Sequence, residues 1–303
     1  MRKDPNMNIQ NRKKFLIGVC FLFTFWFYAS AADSTSATSI TLARFEHIAF
    51  NVSDPIAIGN WYADNLGMKI MRSCPPPISA TFLADSSMHM MIELFHNSEY
   101  PLFESSKTHH MSIHLAFVTP DIGKTQLNLL KAGASIADSL RKTASGDQVL
   151  VLRDPWGLAI QFVQRVKPML AFSGLYIEHF AINVDDSRLK AQWYKEHLGM
   201  PIVRQSGAPT FGTFIADSTK NMMFELYQNK DYPVVECASL SHMSIHVAFM
   251  VDDIQNTKDI LISAGAKVIE DVTKTPAGDS ILMLRDPQNL PIQFVKRAIP
   301  MLK

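Results

Sequence analysis

Two short segments of the chain place a histidine among small side chains in a strand-like pattern. The first is segment 112–117, which contains His114, and the second is segment 244–249, which contains His246. In both, alternation with a period of two puts large apolar side chains on one face and serine, histidine and alanine on the other. A histidine with small neighbours has free space around its ring, which suits a metal ion or a ligand. A hydrogen-bonded histidine on a half-buried strand is the competing interpretation.

His47, Glu93 and Gln161 also alternate with large apolar neighbours, as His114 does. All four residues recur 132 positions later; His47, for example, recurs as His179, and His114 as His246. Each set of two imidazoles, one carboxylate and one amide oxygen suits Zn, Fe, Mn, Ni or Co as a divalent ion. A cation would also offset the cost of burying a carboxylate. In the alternative, the glutamates pair with Lys or Arg and the histidines only form hydrogen bonds. The predicted metal ligands are His47, Glu93, His114, Gln161, His179, Glu225, His246 and Gln293.

The same step relates many other residues, for example Trp61 to Trp193. A repeat of this length indicates two domains that arose by tandem duplication. We place them at residues 42–170 and 171–303, after a disordered linker at 32–41.

Each repeat divides again into two halves with the order β-α-β-β-β. In the first half, Asp54 is a helix N-cap before Pro55 and Gly67 ends the helix. In the second, Asp121 begins a helix that ends near Gly133. The pattern predicts an α+β fold in which four βαβββ modules pair into two cup-shaped, eight-stranded mixed sheets with helices on the outer face. The simplest pairing joins the two halves of one repeat; a cup that combines His47 with residues of the second repeat stays open.

The first 31 residues have the features of a secretory signal peptide. A basic cluster precedes an apolar run from Phe15 to Tyr28, and small residues follow, with a cleavage site after Ala31. The competing interpretation is an uncleaved membrane anchor, although the run is shorter than the ~20 residues of a spanning helix. Both interpretations predict that the rest of the chain is exported, to a periplasm or to the medium. Any contact with a membrane would be made only through this segment, if it is not cleaved.

The composition is that of a globular protein with enough apolar material for a core. Hydrophobic residues make up 47% of the 303 residues, charged residues 19%, and the formal net charge is +1. Because no basic surface is indicated, the composition gives no support for nucleic-acid binding. The expected partner is a small-molecule substrate or ligand.

The motifs and their order along the chain resemble those of the vicinal-oxygen-chelate superfamily, which includes glyoxalase I, extradiol dioxygenases and bleomycin-resistance proteins. The resemblance rests on the predicted ligands, on the Trp-Tyr helix that ends in Leu66-Gly67-Met68, and on Asp154-Pro155-Trp156-Gly157. It implies paired modules, with metal ligands on the first and last strands of each module. It also implies that modules can be exchanged between domains, or between chains, in which case the protein would be a dimer. The chain departs from the glyoxalase pattern in Gln161 and Gln293, where a glutamate is usual.

Four more residues recur near the predicted cups. His110 and His242 share the strand phase of the ligand histidines and could contact substrate, support the ligands or lie at a solvated strand end. Arg153 and Arg285 could bind an anionic substrate, or serve as structural pairs. We include all four as candidate substrate-binding residues.

Two functions remain open from the sequence. The first is an exported metal-dependent enzyme that chelates a small oxygen-bearing substrate, either a glyoxalase-like lyase or isomerase or a ring-cleaving dioxygenase. The second is a non-catalytic, bleomycin-resistance-like protein that binds a small molecule. Catalytic residues are not assigned.

Overall fold

The computed structural model describes residues 41–76 and 79–303. The predicted signal peptide, the cleavage site and residues 32–40 of the predicted linker lie outside the described residues. Within the described part, no helix combines the length and the hydropathy needed to cross a bilayer.

The described chain consists of four modules, each with one helix and four strands in the order predicted. Module 1 contains β1 (Arg44–Asn51), α1 (Pro55–Leu66), β2 (Lys69–Cys74), β3 (Ala80–Ala84) and β4 (Met91–Phe95). Module 2 contains β5 (Ile113–Val118), α2 (Ile122–Lys131), β6 (Ser135–Lys142), β7 (Gln148–Arg153) and β8 (Ala159–Gln164). Module 3 contains β9 (Tyr176–Asn183), α3 (Ser187–Leu198), β10 (Ile202–Gln205), β11 (Thr213–Ala216) and β12 (Met223–Tyr227). Module 4 contains β13 (Ile245–Met250), α4 (Ile254–Ser263), β14 (Lys267–Lys274), β15 (Ser280–Arg285) and β16 (Pro291–Lys296).

Local chemistry explains where the helices begin and end. The Asp54 carboxylate accepts a hydrogen bond from the backbone N–H of Ala57, and Pro55 occupies the first turn of α1. Gly67 ends this helix with φ of 63°, in the left-handed region that glycine adopts without strain. Asp121 caps α2 in the same way as Asp54 caps α1. The predicted caps of both helices are confirmed.

The modules pair across the two repeats. The first sheet has the strand order β14-β15-β16-β13-β1-β4-β3-β2 and so joins modules 4 and 1; the second has the order β10-β11-β12-β9-β5-β8-β7-β6 and joins modules 3 and 2. The pairing of halves within one repeat, the simplest expectation, is therefore wrong, and the exchange arrangement is the one observed. The predicted α+β fold with two eight-stranded mixed sheets is confirmed.

The helices cover one face of each sheet and leave the other face for the cups. In α1, Ile58, Tyr62 and Leu66 are buried in the main core, which is continuous between the two sheets. Phe45 of the first sheet lies with its ring centroid 6.3 Å from that of Phe224 of the second. We call the free face of the first sheet the first cup and that of the second sheet the second cup.

Candidate metal centres

The eight predicted ligands lie on the four central strands of the two sheets. In the first cup, neighbouring strands β16, β13, β1 and β4 carry Gln293, His246, His47 and Glu93. In the second cup, β8, β5, β9 and β12 carry Gln161, His114, His179 and Glu225. Because modules exchange, each cup takes a His/Glu pair from one repeat and a His/Gln pair from the other.

Alanines provide the space between the ligands of the first cup. His246 pairs in register with Ala49, and His47 pairs with Ala248. Glu93 flanks Ala49 on the other side. On a pleated surface these positions face the same way, so the small methyl groups leave room for the two imidazole rings and for an ion between them.

The side-chain donors converge in both cups. In the first, His47 Nε2 lies 3.0 Å from a Glu93 carboxylate oxygen, and one donor atom from each of His47, Glu93 and His246 lies within 4.8 Å of the others. In the second cup, Glu225 lies 3.1 Å from His179 Nε2 and 4.0 Å from His114 Nε2. Both groups have the two histidines and one carboxylate of a compact divalent-ion site.

A hydrogen bond at Nδ1 fixes each imidazole. The carboxylate of Glu46 lies 2.9 Å from His47 Nδ1, and that of Glu178 lies 2.9 Å from His179 Nδ1. The second histidine of each cup donates to a carbonyl four residues earlier: His246 Nδ1 lies 2.9 Å from the oxygen of residue 242, and His114 Nδ1 lies 3.1 Å from that of residue 110. A proton held on Nδ1 leaves Nε2 as an acceptor, the arrangement typical of metal-bound histidine.

Buried arginines hold the two supporting carboxylates. Arg297 donates two hydrogen bonds of 2.7 Å to Glu46 and a third to Asp279. Arg165 does the same for Glu178 and Asp147 in the second cup. Such bidentate pairs fix both the charge and the position of the carboxylate.

A β-bulge brings each supporting glutamate to its histidine. The pairing of β1 with β13 shifts register between Phe45 and His47, so that Glu46 is an extra residue in the ladder. The same shift occurs opposite Glu178 in the pairing of β5 with β9. Consecutive side chains of a regular strand point to opposite faces of the sheet. The bulge changes this local geometry, so the Glu46 side chain can contact the ring of the next residue, His47.

The pKa values differ between the two histidines of each cup. Burial lowers the pKa of His114 and of His246 to about 4, so both rings are neutral at pH 7. Burial also disfavours the charged form of His47, but hydrogen bonds to Glu46 and Glu93 outweigh it and raise the pKa of His47. For Glu46, burial is outweighed by hydrogen bonds from His47 and Arg297, which lower its pKa to about 2.

The donor set fits a divalent ion. The Nε2 atom of His246 is buried without a hydrogen-bond partner, and those of His47 and His179 face only the carboxylates of Glu93 and Glu225. A buried ring nitrogen that is fixed as an acceptor and left without a donor is costly, and a metal ion removes that cost. In the second cup the Gln161 amide donates to His114 Nε2 at 3.2 Å; rotation of the amide would present its oxygen to an ion.

The structure gives the four candidate substrate residues other contacts. His110 and His242 support the ligand histidines through their backbone carbonyls. The Arg153 guanidinium donates to the carbonyls of Ser105, Thr108 and Gly157, and Arg285 makes the equivalent three bonds. These arginines tie loops to the sheet, which explains their recurrence without a substrate.

The four supporting residues, Glu46, Glu178, Arg165 and Arg297, were not among the residues predicted from the sequence. Glu46 and Glu178 were visible as the residues before His47 and His179, and Arg165 and Arg297 recur with the same step of 132 residues. A charged residue at a buried strand position, repeated beside a predicted ligand, was the available signal.

The fold and the donor atoms together define a class of protein in which paired βαβββ modules form cups with side chains able to hold a metal ion. The chain belongs to the Glyoxalase/Bleomycin resistance protein/Dioxygenase superfamily, whose profile matches residues 44–162 and 176–294. This confirms the resemblance drawn from the sequence.

Relatives and solved structures agree with this assignment. The chain is 22% identical over 275 residues to lactoylglutathione lyase GLX1 of Arabidopsis thaliana, a match that covers 86% of this chain and 93% of the relative. It is 21% identical to a putative lactoylglutathione lyase of Brassica oleracea var. gemmifera, with 80% of this chain and 88% of the relative covered. The fold is similar to that of glyoxalase I from Zea mays, with a TM-score of 0.69, 21% identity, and 84% and 92% of the two chains covered. A putative dioxygenase from Bacillus subtilis gives a TM-score of 0.62 at 13% identity, with 87% of each chain covered.

Proposed function

We propose that this protein is an exported, metal-dependent lyase or isomerase that acts on a small carbonyl compound. The orientation of the four cup histidines carries the proposal, because each is held at Nδ1 by a hydrogen bond. Three of them, His47, His114 and His179, also have Nε2 within 4.0 Å of a carboxylate oxygen. A cup that only enclosed an apolar ligand would need none of these fixed donors.

Each cup would hold one divalent ion through two histidines, the glutamate and the glutamine oxygen. When bound, the ion supplies a Lewis acid that polarises substrate oxygens and stabilises negative charge on them. Zn, Fe, Mn, Ni and Co all accept this donor set.

The remaining chemistry falls to the glutamates. For Glu93, burial is outweighed by the hydrogen bond and charge of His47, so the pKa of Glu93 lies below its usual range. The pKa of Glu225 is lowered in the same way by His179. An ionised carboxylate can accept a proton from a carbon next to a carbonyl, whereas the amides of Gln161 and Gln293 cannot.

The names of the relatives suggest the first substrate to test. Both are described as lactoylglutathione lyases. We therefore propose to assay first the interconversion of a 2-hydroxyacyl thioester, such as lactoylglutathione, with a thiol and a 2-oxoaldehyde. In the direction of synthesis the thiol adds to the aldehyde carbon, and the proton on that carbon is then removed and returned to the neighbouring carbon, so that no external oxidant is needed.

The test combines elemental analysis with this assay. We expect about two divalent ions per purified chain and, when a thiol and a 2-oxoaldehyde are supplied together, a gain of thioester absorbance in the ultraviolet. Changing Glu93 and Glu225 together to glutamine should lower turnover by a factor of roughly 10²–10⁴, the range of general base catalysis. Equal turnover by the metal-free protein would contradict the proposal. Binding of the thioester without metal and without turnover would favour the ligand-binding alternative.

Export is the second part of the proposal and is supported by the apolar run and small residues near Ala31. We expect the protein recovered from the cells that produce it to begin at Ala32, as measured by N-terminal mass spectrometry. A chain that keeps residues 1–31 in the soluble cell fraction would contradict export, and one that keeps them in the membrane fraction would indicate an anchor.

A further inference from the structure

The two cups differ in the side chains that surround their similar ligand sets. The second cup opens into a cavity of about 290 Å³ that reaches His114, Gln161, His179 and Glu225. Three further side chains with free hydrogen-bonding capacity line this cavity, and two of them are replaced in the first cup by a different residue type, one apolar and one uncharged. They are Tyr227, Arg141 and Arg204.

Tyr227 brings an unused hydroxyl beside the ligands. It follows Glu225 by two residues on β12, so both side chains face the cup. Tyr227 is 3% exposed, and its hydroxyl is buried without a hydrogen-bond partner. A tyrosine hydroxyl keeps its proton near neutral pH and can therefore act as a donor. The equivalent residue in the first cup is Phe95, which has no hydroxyl.

Gly212 leaves space next to this tyrosine and to Glu225. It lies just before Thr213, the first residue of β11, which pairs with Leu226, the neighbour of Tyr227 on β12. A Cβ at Gly212 would lie 3.2 Å from the Ser206 hydroxyl and 3.9 Å from a Glu225 carboxylate oxygen. The first cup has Ala80 at this position, so the second cup has more room near its carboxylate.

Arg204 and Arg141 lie on β10 and β6, the two edge strands of the second sheet, and line the same cavity. Within residues 41–76 and 79–303, no carboxylate lies within 4.0 Å of the Arg204 guanidinium; Arg141 lies 3.2 Å from Asp138, a largely solvent-exposed ion pair. The first cup has Arg72, whose guanidinium carbon lies 4.3 Å from the Phe82 ring centroid, but Thr273 in place of the second arginine.

The other charged groups of this cavity are already matched. Arg165 is held by Asp147 and Glu178, and Glu225 belongs to the ligand set. The unmatched charge at the mouth is therefore positive, and guanidinium groups match carboxylates in geometry as well as in charge.

We propose that the second cup is specific for a substrate that carries two adjacent oxygens at one end and a carboxylate at the other. The adjacent oxygens face the ligand set, Tyr227 donates a hydrogen bond to one of them, and Arg141 and Arg204 bind the carboxylate. The first cup, with Phe95 and Thr273 at these positions and Arg72 as its one equivalent arginine, should bind a carboxylate less tightly. This inference rests on the proposed metal-dependent function.

The test uses the full chain loaded with zinc and two probes that differ only in a carboxylate. Catechol offers two adjacent oxygens, and 3,4-dihydroxybenzoate adds the charge. By calorimetric titration we expect one site per chain to bind dihydroxybenzoate roughly tenfold more tightly than catechol, as one or two charge-assisted hydrogen bonds at a solvated rim would give.

Variants assign this preference to residues. Arg141→Gln with Arg204→Gln should remove the tenfold preference and leave catechol affinity unchanged, whereas Arg72→Gln in the first cup should leave the tight site intact. Tyr227→Phe should weaken both probes several-fold, which is the loss of one neutral hydrogen bond. Tyr176→Phe is the matched control, since its hydroxyl is also buried and without a partner but lies outside the residues that line the cavity.

Zinc content and circular dichroism of every variant separate loss of binding from loss of folding. If the wild-type chain binds zinc but shows equal affinity for both probes, or if the arginine variants keep the preference, the inference is overturned and the proposed function stands. If the wild-type chain takes up no zinc, the proposed function itself fails.

Discussion

Replacing His114 and His179 by alanine is expected to remove one of two divalent ions per chain and to leave the other in place. The two histidines belong to different repeats but to the same cup, where they lie with Glu225. Their loss leaves one carboxylate and one amide, so affinity in the second cup should fall by far more than the 10–100-fold cost of altering a supporting partner. Elemental analysis after dialysis at matched metal concentration measures the loss.

A second double variant makes this result specific. His47 and His114 come from the same repeat but lie in different cups, so changing both to alanine should impair both ions. If repeats were self-contained, the outcomes would be reversed: the pair within one repeat would spare one ion, and the pair from different repeats would impair both. That reversal would contradict the exchanged architecture.

Arg297→Met is expected to lower the free energy of unfolding by about 3–5 kcal/mol, the cost of leaving a buried charge without its partner. The arginine bridges Glu46 and Asp279, both buried. Methionine keeps much of the apolar stem of the side chain but supplies no cation, so both carboxylates lose their compensation. Urea unfolding of the metal-free protein measures the change without a contribution from bound ions.

The matched control for this variant is Lys107→Met. Its partner Glu104 lies 2.6 Å away, and both side chains are largely exposed, so the expected loss is below about 1 kcal/mol. Arg165→Met should behave like Arg297→Met, because Arg165 holds Glu178 and Asp147 in the same way. A loss no larger than that of the Lys107 variant would show that these buried networks do not stabilise the fold.

Local patterns were sufficient to predict the elements and the side chains that converge in each cup. Asp54 begins α1 and Gly67 ends it through contacts within one turn of the helix. Their effect therefore does not depend on distant parts of the chain. The converging side chains could be predicted because few structural roles explain a polar residue on the buried face of a strand. The repetition of His47 at His179 leaves fewer such roles.

The pairing of modules could not be derived from these patterns. The strands that contain His114 and His246 have nearly the same sequence and the same alternation. Strand β1 pairs with the second of them, and periodicity gives no reason to prefer it over the first. The choice depends on the packing of whole sheets and helices, which alternation does not encode.

Two other features depend on geometry that strict alternation excludes. The bulge at Glu46 places consecutive side chains together, and a pattern of period two assigns them to opposite faces. Arg153 recurs as an anion-binding residue would, but its donors are used by backbone carbonyls of loops distant in sequence. Recurrence alone does not distinguish the two roles.

The most direct test of the two cross-repeat metal centres is anomalous diffraction from crystals of the zinc-loaded full chain, measured on both sides of the zinc edge. Two peaks per chain are expected, one among His47, Glu93 and His246 and the other among His114, His179 and Glu225. Crystals of zinc-loaded protein with no anomalous peak at either cluster would contradict the account.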